Sequence, residues 1–356
     1  MESNIFNLIK ICPIIIISLT YSYWIRTFIQ PGTKRLLCLL PIICLNLFIP
    51  LTFTSVHLTG TLGFFFAWLA NFKLLLLSFN KGPLSSQSSI SLPRFIVLSC
   101  LPIKIQQNSK TNKTSIPDLT NGSKRSNFET NSNTPFLQYP IKIILLGILV
   151  KIYDYSENIH PKVILVMYCF QIYFMLEIIL VIFAIMARTI LGLELEPQFN
   201  NPILSTSLQD FWGRRWNLMV TSIMRPTVYE PTLKVAKNLV GLKWATLVAV
   251  FGTFVVSGLM HELILFYLGR LEPTFKMFGF FVFHGVCLTV EIVLKKVVTD
   301  RWRLPRFVSG PLTVGFFFAT CFWLFLPEFI RCRIFVMASE EYAALGVYVR
   351  NLTSVF

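Results

Sequence analysis

The chain has 356 residues, of which 54% are hydrophobic and only 14% are charged, and its mean hydropathy is +0.64. A soluble domain carries about 25% charged residues, whereas the apolar residues here come in runs of about twenty, the length that crosses a ~30 Å hydrocarbon layer. The composition excludes an ordinary soluble enzyme and predicts an all-α fold, a polytopic transmembrane helical bundle.

The formal net charge of +15 would indicate a nucleic-acid partner in a soluble protein. In this chain the basic residues gather in loops between the apolar runs, which is typical of the cytoplasmic side of membrane proteins. We therefore expect the lipid bilayer, and no nucleic acid, as a partner, and the positive charge favours recruitment of a polyanionic donor. The eight cysteines form no C-x-x-C pair and no zinc spacing with the four histidines, so no metal site is expected.

Eight apolar runs are predicted to span the membrane within a single domain over residues 1–356. They cover residues 5–25, 36–54, 56–78, 139–155, 162–190, 244–268, 277–298 and 307–330. The fourth run is short and contains Lys142 and Lys151. Basic clusters lie in alternate loops, which the positive-inside tendency places in the cytoplasm. The apolar stretch Phe95–Ile103 is too short to span and predicts a re-entrant or interfacial segment.

One long loop, at about residues 106–136, is rich in Ser, Thr and Asn and predicts a flexible cytoplasmic segment. A second long loop, Glu194–Lys243, contains the block Gln209–Asn217, which reads Q-D-F-W-G-R-R-W-N. Its adjacent arginines suit the phosphates of a nucleotide-like donor, and its tryptophans can stack on a flat ring or lie at the membrane interface. The alternative is an amphipathic helix that rests on the membrane surface.

His261 lies deep in the sixth predicted span and is followed at once by Glu262. Ionisable groups at that depth are costly and usually line a cavity or a pathway. A neutral buried histidine can take a proton from an alcohol as a general base, and the small residues Ser257 and Gly258 would leave room beside it for a substrate. The alternative is a histidine satisfied by a hydrogen bond between helices, which is the role we favour for His284.

Together these segments resemble the membrane-bound O-acyltransferase superfamily, and more closely its plant wax-ester synthases and plant acyl-CoA sterol acyltransferases. The resemblance runs through nearly the whole chain. The blocks that carry it are W-L-A-N-F-K at Trp68–Lys73, C-L-P-I-K-I at Cys100–Ile105, Leu195–Pro197, Thr206–Pro231 and Phe254–Leu263.

The resemblance implies that His261 is the catalytic histidine and that Asn217 is the second polar residue of the active site. Glu262 matches the acidic residue that follows this histidine in the diacylglycerol and sterol branches. The motif F-W-G-R-R-W-N departs from the family, since it lacks the tyrosine and acid of many animal relatives. The substrate-binding residues expected on this basis are Phe211, Trp212, Arg214, Arg215, Trp216 and Glu262.

The implied reaction is a direct transfer from acyl-CoA, as co-substrate and with no separate cofactor, to the hydroxyl of a hydrophobic alcohol. His261 lies about seventeen residues, or roughly 25 Å, from the cytoplasmic end of its helix. This depth predicts an internal substrate tunnel that opens to the cytoplasm, with an entrance for the acceptor from the bilayer. The expected location is the endoplasmic reticulum membrane.

A long-chain fatty alcohol, giving a wax ester, is the first choice of acceptor, and a sterol is the alternative. Diacylglycerol and a terpenoid alcohol are further candidates for the acceptor. From other classes, a transporter would use His261, Glu262, His284 and Glu291 as a proton pathway, and a membrane scaffold would have no catalytic residue. Ester formation separates the enzyme from both, and the sequence predicts no oligomeric state.

Overall fold

The computed structural model describes residues 2–85, 90–102, 135–192, 196–297 and 304–353. Every regular element in these ranges is helical, which confirms the predicted all-α class. The α-helices are α1 (Glu2–Phe28), α2 (Thr33–Phe48), α3 (Val56–Leu62), α4 (Asn71–Ser78), α5 (Leu92–Cys100), α6 (Pro135–Ile152), α7 (Pro161–Leu191), α8 (Leu208–Asp210), α9 (Leu218–Met224), α10 (Glu230–Gly269), α11 (Lys276–Val297), α12 (Arg306–Thr320), α13 (Leu326–Arg331) and α14 (Ile334–Thr353).

Seven helical stretches of the described chain are long and apolar enough to cross a membrane, and each overlaps a predicted span. They are Ser3–Phe28, Thr33–Thr52, Val56–Ser78, Pro161–Ile190, Leu218–Gly269, Lys276–Val297 and Arg306–Arg331. The protein is therefore a multi-pass membrane protein.

The fourth predicted span, 139–155, is helical but is not among these seven stretches. Its helix α6 has 18 residues, ends at Ile152 and contains two lysines. It runs antiparallel to α7, because Lys142 near its start pairs with Glu177 and Tyr153 just after its end contacts Tyr168, with 5.3 Å between ring centroids. The predicted count of about eight spans thus depends on how this helix lies in the bilayer.

The short apolar stretch predicted as a re-entrant or interfacial segment forms α5, in which Phe95 and Leu98 are buried inside the protein. The fully buried Lys73 donates hydrogen bonds to the carbonyls of Leu98 (2.7 Å) and Leu101 (2.6 Å) at the end of this helix. These bonds satisfy carbonyls that the helix itself leaves free. Of the loop predicted to be flexible, residues 106–134 lie outside the described residues, and its last two residues begin α6.

Contacts between connecting segments define two sides of the bundle. On one side, Gly32 donates its N–H to Ser78 (2.8 Å), and Leu208 donates its N–H to Glu291 (2.8 Å). On the other side, Arg270 at the end of α10 donates to the carbonyl of Pro50 (3.0 Å). This grouping agrees with the alternation of loops that the charge pattern predicts.

The Glu194–Lys243 loop is largely helical where the structure describes it, because α8, α9 and the first part of α10 lie within it. A positive φ of 76° at Gly241 divides α10 into a first part and a long span that carries His261. The span packs along α11, and Gly258 and Gly285 face that contact. A Cβ on Gly285 would lie 2.8 Å from the Cβ of Phe254, so only glycine permits this approach.

Four short segments are wound as π-helix, a form that is rare in proteins and frequent at functional sites. One of them contains Trp68, which contacts His261, and another lies within the block Gln209–Asn217. The four segments are Gly63–Ala70, Phe211–Arg215, Arg225–Tyr229 and Cys321–Phe325.

Candidate active site

The imidazole of His261 is held in one tautomer by its own helix. Its Nδ1 lies 2.8 Å from the backbone carbonyl of Ser257, one turn earlier in α10. A carbonyl oxygen only accepts hydrogen bonds, so Nδ1 carries the proton, and in the neutral ring Nε2 has a free lone pair. The side chain therefore presents a proton acceptor, which is what a general base requires.

Two aromatic rings fix the orientation of this imidazole. Phe281 of α11 stacks on it with 4.0 Å between ring centroids, and Trp68 meets it edge to face at 5.0 Å. The histidine is part-buried, so it keeps an accessible edge, and it lies about two turns before the end of α10 at Gly269. Gly258, which the sequence suggested would leave room for substrate, is instead in tight contact with Phe278, as a Cβ there would lie 3.0 Å from that ring.

The aromatic–arginine block, residues 209–217, begins at a well-capped turn. The Ser207 hydroxyl accepts the N–H of Asp210 at 3.1 Å, and the carboxylate of Glu291 accepts the N–H groups of Leu208 (2.8 Å) and Gln209 (3.2 Å). Glu291 belongs to α11, so the start of the block is attached to the helix that carries Phe281. These bonds satisfy N–H groups that a helix start leaves free.

Trp212 connects the block to the histidine. Its ring lies 5.9 Å from Phe281, the residue that stacks on His261, and 5.5 Å from Phe254 of α10. The structure thus brings the block and His261 into contact with the same aromatic ring, that of Phe281.

His284 is fully buried and completely hydrogen-bonded. Its Nδ1 accepts the indole N–H of Trp212 at 3.2 Å, and its Nε2 lies 2.9 Å from the hydroxyl of Thr320. That hydroxyl can donate to the Phe317 carbonyl at 2.9 Å, so His284 donates from Nε2. This geometry agrees with the structural role favoured for His284, because Nδ1 holds Trp212 of the block and Nε2 is bonded to Thr320 of α12.

Asn217 lies at the end of the block with a φ of 39° and caps α9. Its side-chain oxygen accepts the N–H of Val220 at 3.3 Å. Its side-chain nitrogen has no hydrogen-bond partner among the described residues, so a donor remains available. The helix that it caps packs in one buried cluster with Trp68 and with Met260, the neighbour of His261.

The remaining predicted donor contacts separate into two groups. Arg215 donates to Asp210 (2.7 Å) and to the carbonyl of Asn200 (3.1 Å), whereas Arg214 is exposed and has no partner among the described residues. Phe211 and Trp216 stack on each other at 5.4 Å and line a small apolar cleft of about 60 Å³. The other residues that line it are Cys169, Phe170, Tyr173, Pro202, Ile203, Val314, Phe317 and Phe318.

Glu262 faces away from the histidine and caps α11. Its two carboxylate oxygens accept the N–H groups of Phe275 and Phe278, each at 3.0 Å. Both oxygens therefore bind backbone N–H groups of α11. The contact between Glu262 and substrate that the resemblance implied stays a prediction.

The transporter hypothesis requires a proton pathway through buried ionisable side chains. Since Glu262, His284 and Glu291 all have structural hydrogen bonds, this pathway gains no support. Among the described residues, no three His, Cys, Asp or Glu side chains are grouped so that they could hold a metal ion.

Sequence reasoning missed two residues at the centre of the site, Trp68 and Phe281. Both are ordinary aromatic residues in apolar runs, and only the packing of the helices places them against His261. The one available signal was the position of Trp68 at the start of the block W-L-A-N-F-K.

Comparison with known proteins adds independent findings. A family model described as "Membrane bound O-acyl transferase family" matches residues 195–283, which include the block, His261 and Phe281. Acyl-CoA--sterol O-acyltransferase 1 of Arabidopsis thaliana is 48% identical over 98% of this chain and 99% of its own length. The long-chain-alcohol O-fatty-acyltransferase of Simmondsia chinensis is 44% identical, over 90% of this chain and 88% of its own length. A probable long-chain-alcohol O-fatty-acyltransferase 3 of Arabidopsis thaliana is 42% identical, over 96% and 94%.

Proposed function

Because the chain belongs to the membrane bound O-acyl transferase family, we propose that it transfers a fatty acyl group from coenzyme A to a hydrophobic alcohol. The observation that carries the mechanism is the bond from Nδ1 of His261 to the Ser257 carbonyl, since it leaves Nε2 as a proton acceptor. The acyl-CoA is a co-substrate, and the reaction needs no separate cofactor.

The reaction forms one C–O bond and breaks one C–S bond. The alcohol oxygen attacks the thioester carbonyl carbon while its proton moves to Nε2 of His261. As the tetrahedral intermediate collapses, the coenzyme A sulfur leaves with the electron pair of the C–S bond and takes up the proton from His261. A general base in this position contributes about 10²- to 10⁴-fold to the rate.

Asn217 is proposed as a catalytic donor. Its free side-chain nitrogen suits the thioester carbonyl oxygen, which gains negative charge as the alcohol attacks. The φ of 39° and the cap on Val220 hold this side chain in one orientation, so the donor needs little reorganisation.

The donor is proposed to enter from the side that holds the block. The break at Gly241 lies about twenty residues before His261, which corresponds to about 30 Å of helix. Trp212 of the block lies 5.9 Å from Phe281, which stacks on His261, so a pantetheine arm would reach inward past the block while its phosphates stay near the exposed Arg214. An internal tunnel along this path, open to the cytoplasm, and a location in the endoplasmic reticulum are parts of the same proposal.

A long-chain fatty alcohol is the proposed acceptor, in line with the relatives whose names specify such an alcohol. A sterol is the second candidate, because the sterol acyltransferase is 48% identical over 98% of the chain. Both are apolar molecules with one hydroxyl, and both are consistent with an apolar entrance from the bilayer.

The test is ester formation by membranes from a host that lacks neutral-lipid synthesis. Palmitoyl-CoA is supplied with a long-chain alcohol or with a sterol, and the native chain is compared with His261→Ala. We expect ester with the native chain and a loss of at least about 100-fold with the variant. The matched control is His160→Asn, which changes an exposed histidine at the start of α7 and should retain full activity. Undiminished ester from His261→Ala would contradict the mechanism, and the better acceptor identifies the substrate class.

A further inference from the structure

A hydrogen-bond donor beside His261 has no partner among the residues that the structure describes. The indole nitrogen of Trp68 is buried and makes no hydrogen bond, although the side chain is only 1% exposed. Among the tryptophans that the structure describes, Trp212 shows the ordinary arrangement, because its buried N–H donates to His284. A buried donor without a partner destabilises the folded protein, so it needs an explanation.

The surroundings of Trp68 account for its ring but not for its N–H. Phe64 and Phe72 meet the ring edge to face at 5.6 and 6.5 Å, and Met219 and Ile223 of α9 pack in the same cluster. None of these side chains offers an oxygen or nitrogen as an acceptor. Phe or Leu would fill such a site without the penalty.

Within the described ranges, the one polar side chain in ring contact with Trp68 is His261, at 5.0 Å between ring centroids. The ring that carries the unpaired N–H therefore lies directly beside the proposed base. The segment that carries Trp68, Gly63–Ala70, is wound as π-helix over its whole length. π-Helical turns inside α-helices are frequent at functional sites.

We propose that the indole N–H of Trp68 donates a hydrogen bond to the carbonyl oxygen of the bound thioester, which makes Trp68 a further catalytic residue. This inference rests on the proposed acyl transfer. Of the two substrate oxygens at the reacting centre, the alcohol oxygen uses its lone pair in the attack. The carbonyl oxygen gains the negative charge, and a fixed donor there stabilises the transition state most. Trp68 and Asn217 would then hold the same oxygen.

In the substrate-free protein the N–H is covered, so binding has to move a neighbour. Met260, next to His261 and packed on the same cluster, is a suitable side chain, since methionine is unbranched and adapts its shape at low cost. The acyl chain would take the space that Met260 leaves.

The test replaces Trp68 with benzothienylalanine, an isostere in which sulfur takes the place of the indole N–H. Because the bond exists only with substrate, we expect kcat to fall on the order of 100-fold, with both KM values within about threefold of the native ones. The unfolding temperature of the substrate-free protein should stay the same or rise, because the change removes an unsatisfied donor.

The control is the same replacement at Trp212. Its N–H is paired with His284, so the isostere should lower the unfolding temperature. If the isosteric protein does not accumulate in membranes, Trp68→Phe gives the same kcat comparison per folded molecule. An unchanged kcat in the Trp68 isostere would overturn the proposal, and so would a fall in its unfolding temperature like that of the Trp212 isostere.

The two proposals fail in different ways. Absence of ester from the native chain would refute acyl transfer itself, whereas native ester with an active Trp68 isostere would refute the role of Trp68 alone.

Discussion

The two adjacent arginines of the aromatic–arginine block have different surroundings. Arg215 is partly buried, pairs with Asp210 and also donates to the carbonyls of Asn200 and Asn201. It thus holds the loop before the block against the block itself. Arg214, one residue earlier, is exposed and without a partner among the described residues. A guanidinium in that situation remains available for a phosphate.

Arg214→Ala is therefore expected to raise the KM for acyl-CoA and leave kcat unchanged. The loss of one exposed ionic contact with a phosphate corresponds to roughly 2- to 5-fold in KM. Initial rates at varied palmitoyl-CoA measure it, and higher salt should reduce the difference between native and variant. The matched variant is Arg215→Ala, which should lower the unfolding temperature instead, because it removes the hydrogen bonds from this guanidinium to the Asp210 carboxylate and to the carbonyls of Asn200 and Asn201. An unchanged KM in Arg214→Ala would contradict the assignment.

At the scale of elements, three glutamates hold the bundle together in the same way. Glu262, Glu291 and Glu341 each accept backbone N–H groups at the start of a helix, namely α11, α8 and α3. A carboxylate at a helix start also meets the positive end of the helix dipole. In an apolar bundle, such caps specify which helices lie next to each other. Hydrophobic contacts alone do not specify this, because they are not directional.

Glu262→Gln tests whether this cap positions the catalytic histidine. An amide has one acceptor oxygen in place of two, so one N–H of α11 loses its partner, at a cost of about 1 to 3 kcal/mol. Because α11 carries Phe281, we expect a lower unfolding temperature and a lower kcat, with KM values little changed. The control is Glu272→Gln, whose exposed side chain caps no helix. A large rise in the KM for either substrate, with unchanged stability, would instead support the substrate contact that the resemblance implied.

A second test at this scale concerns the close contact of α10 with α11. Alanine in place of a helical glycine ordinarily gains up to about 1 kcal/mol. At Gly258, however, the added Cβ would lie 3.0 Å from the ring of Phe278 and 3.2 Å from the Cβ of Phe281. Phe281 stacks on His261, so we expect Gly258→Ala to lower kcat by roughly 3- to 10-fold through a small displacement of the imidazole.

The control for that variant is Gly279→Ala in α11, where a Cβ would meet no atom within 4 Å. This variant should keep its activity and be as stable as the native protein or more stable. Equal kcat in both variants, measured with the better acceptor, would mean that the helix contact does not position the histidine.

The sequence predicted seven helices of the bundle well, because length and hydropathy alone determine which segments suit a bilayer. It also selected His261, from its depth in an apolar run, and Asn217 and Trp212, from the block 209–217, as candidate site residues, and their catalytic and binding roles stay predictions. It did not predict Trp68 or Phe281 as neighbours of the histidine, since many apolar side chains compete for such places and only packing selects among them. The helix caps made by glutamate side chains could not be predicted from the sequence either. Glu341 and Val56, for example, are far apart in the chain, and no local spacing indicates that they form a hydrogen bond.

At the scale of the whole molecule, the C-terminal helix α14 lies on the side opposite the aromatic–arginine block. The sequence did not predict its role, since its 20 residues are too polar to resemble a span. Glu341 in this helix accepts hydrogen bonds from the Val56 N–H at 2.6 Å, the Ser55 hydroxyl at 2.9 Å and His57. This contact fastens α14 to the start of the helical stretch that carries Trp68.

The contact predicts how stability depends on pH. Burial alone would raise the pKa of the Glu341 carboxyl, but hydrogen bonds from His57, Val56 and Ser55 outweigh it and hold that pKa below its usual range. A carboxyl with a lowered folded pKa stabilises the protein at pH values above the unfolded pKa, about 4.3 for glutamate. That contribution is lost as the pH falls through the folded pKa.

The native protein should therefore be more stable than Glu341→Gln near neutral pH, and the difference in unfolding free energy should shrink as the pH falls below about 4. Unfolding of both proteins in detergent, followed between neutral and acid pH, measures this difference. The comparison is then repeated with His57→Gln added to the native protein and to Glu341→Gln. This separates the contact of Glu341 with His57 from its bonds to Ser55 and Val56. A difference that stays constant down to the acid end would show that the charge on Glu341 does not hold α14. Loss of α14 from the bundle should also loosen the segment that carries Trp68, so we expect Glu341→Gln to lower kcat in proportion to its loss of stability.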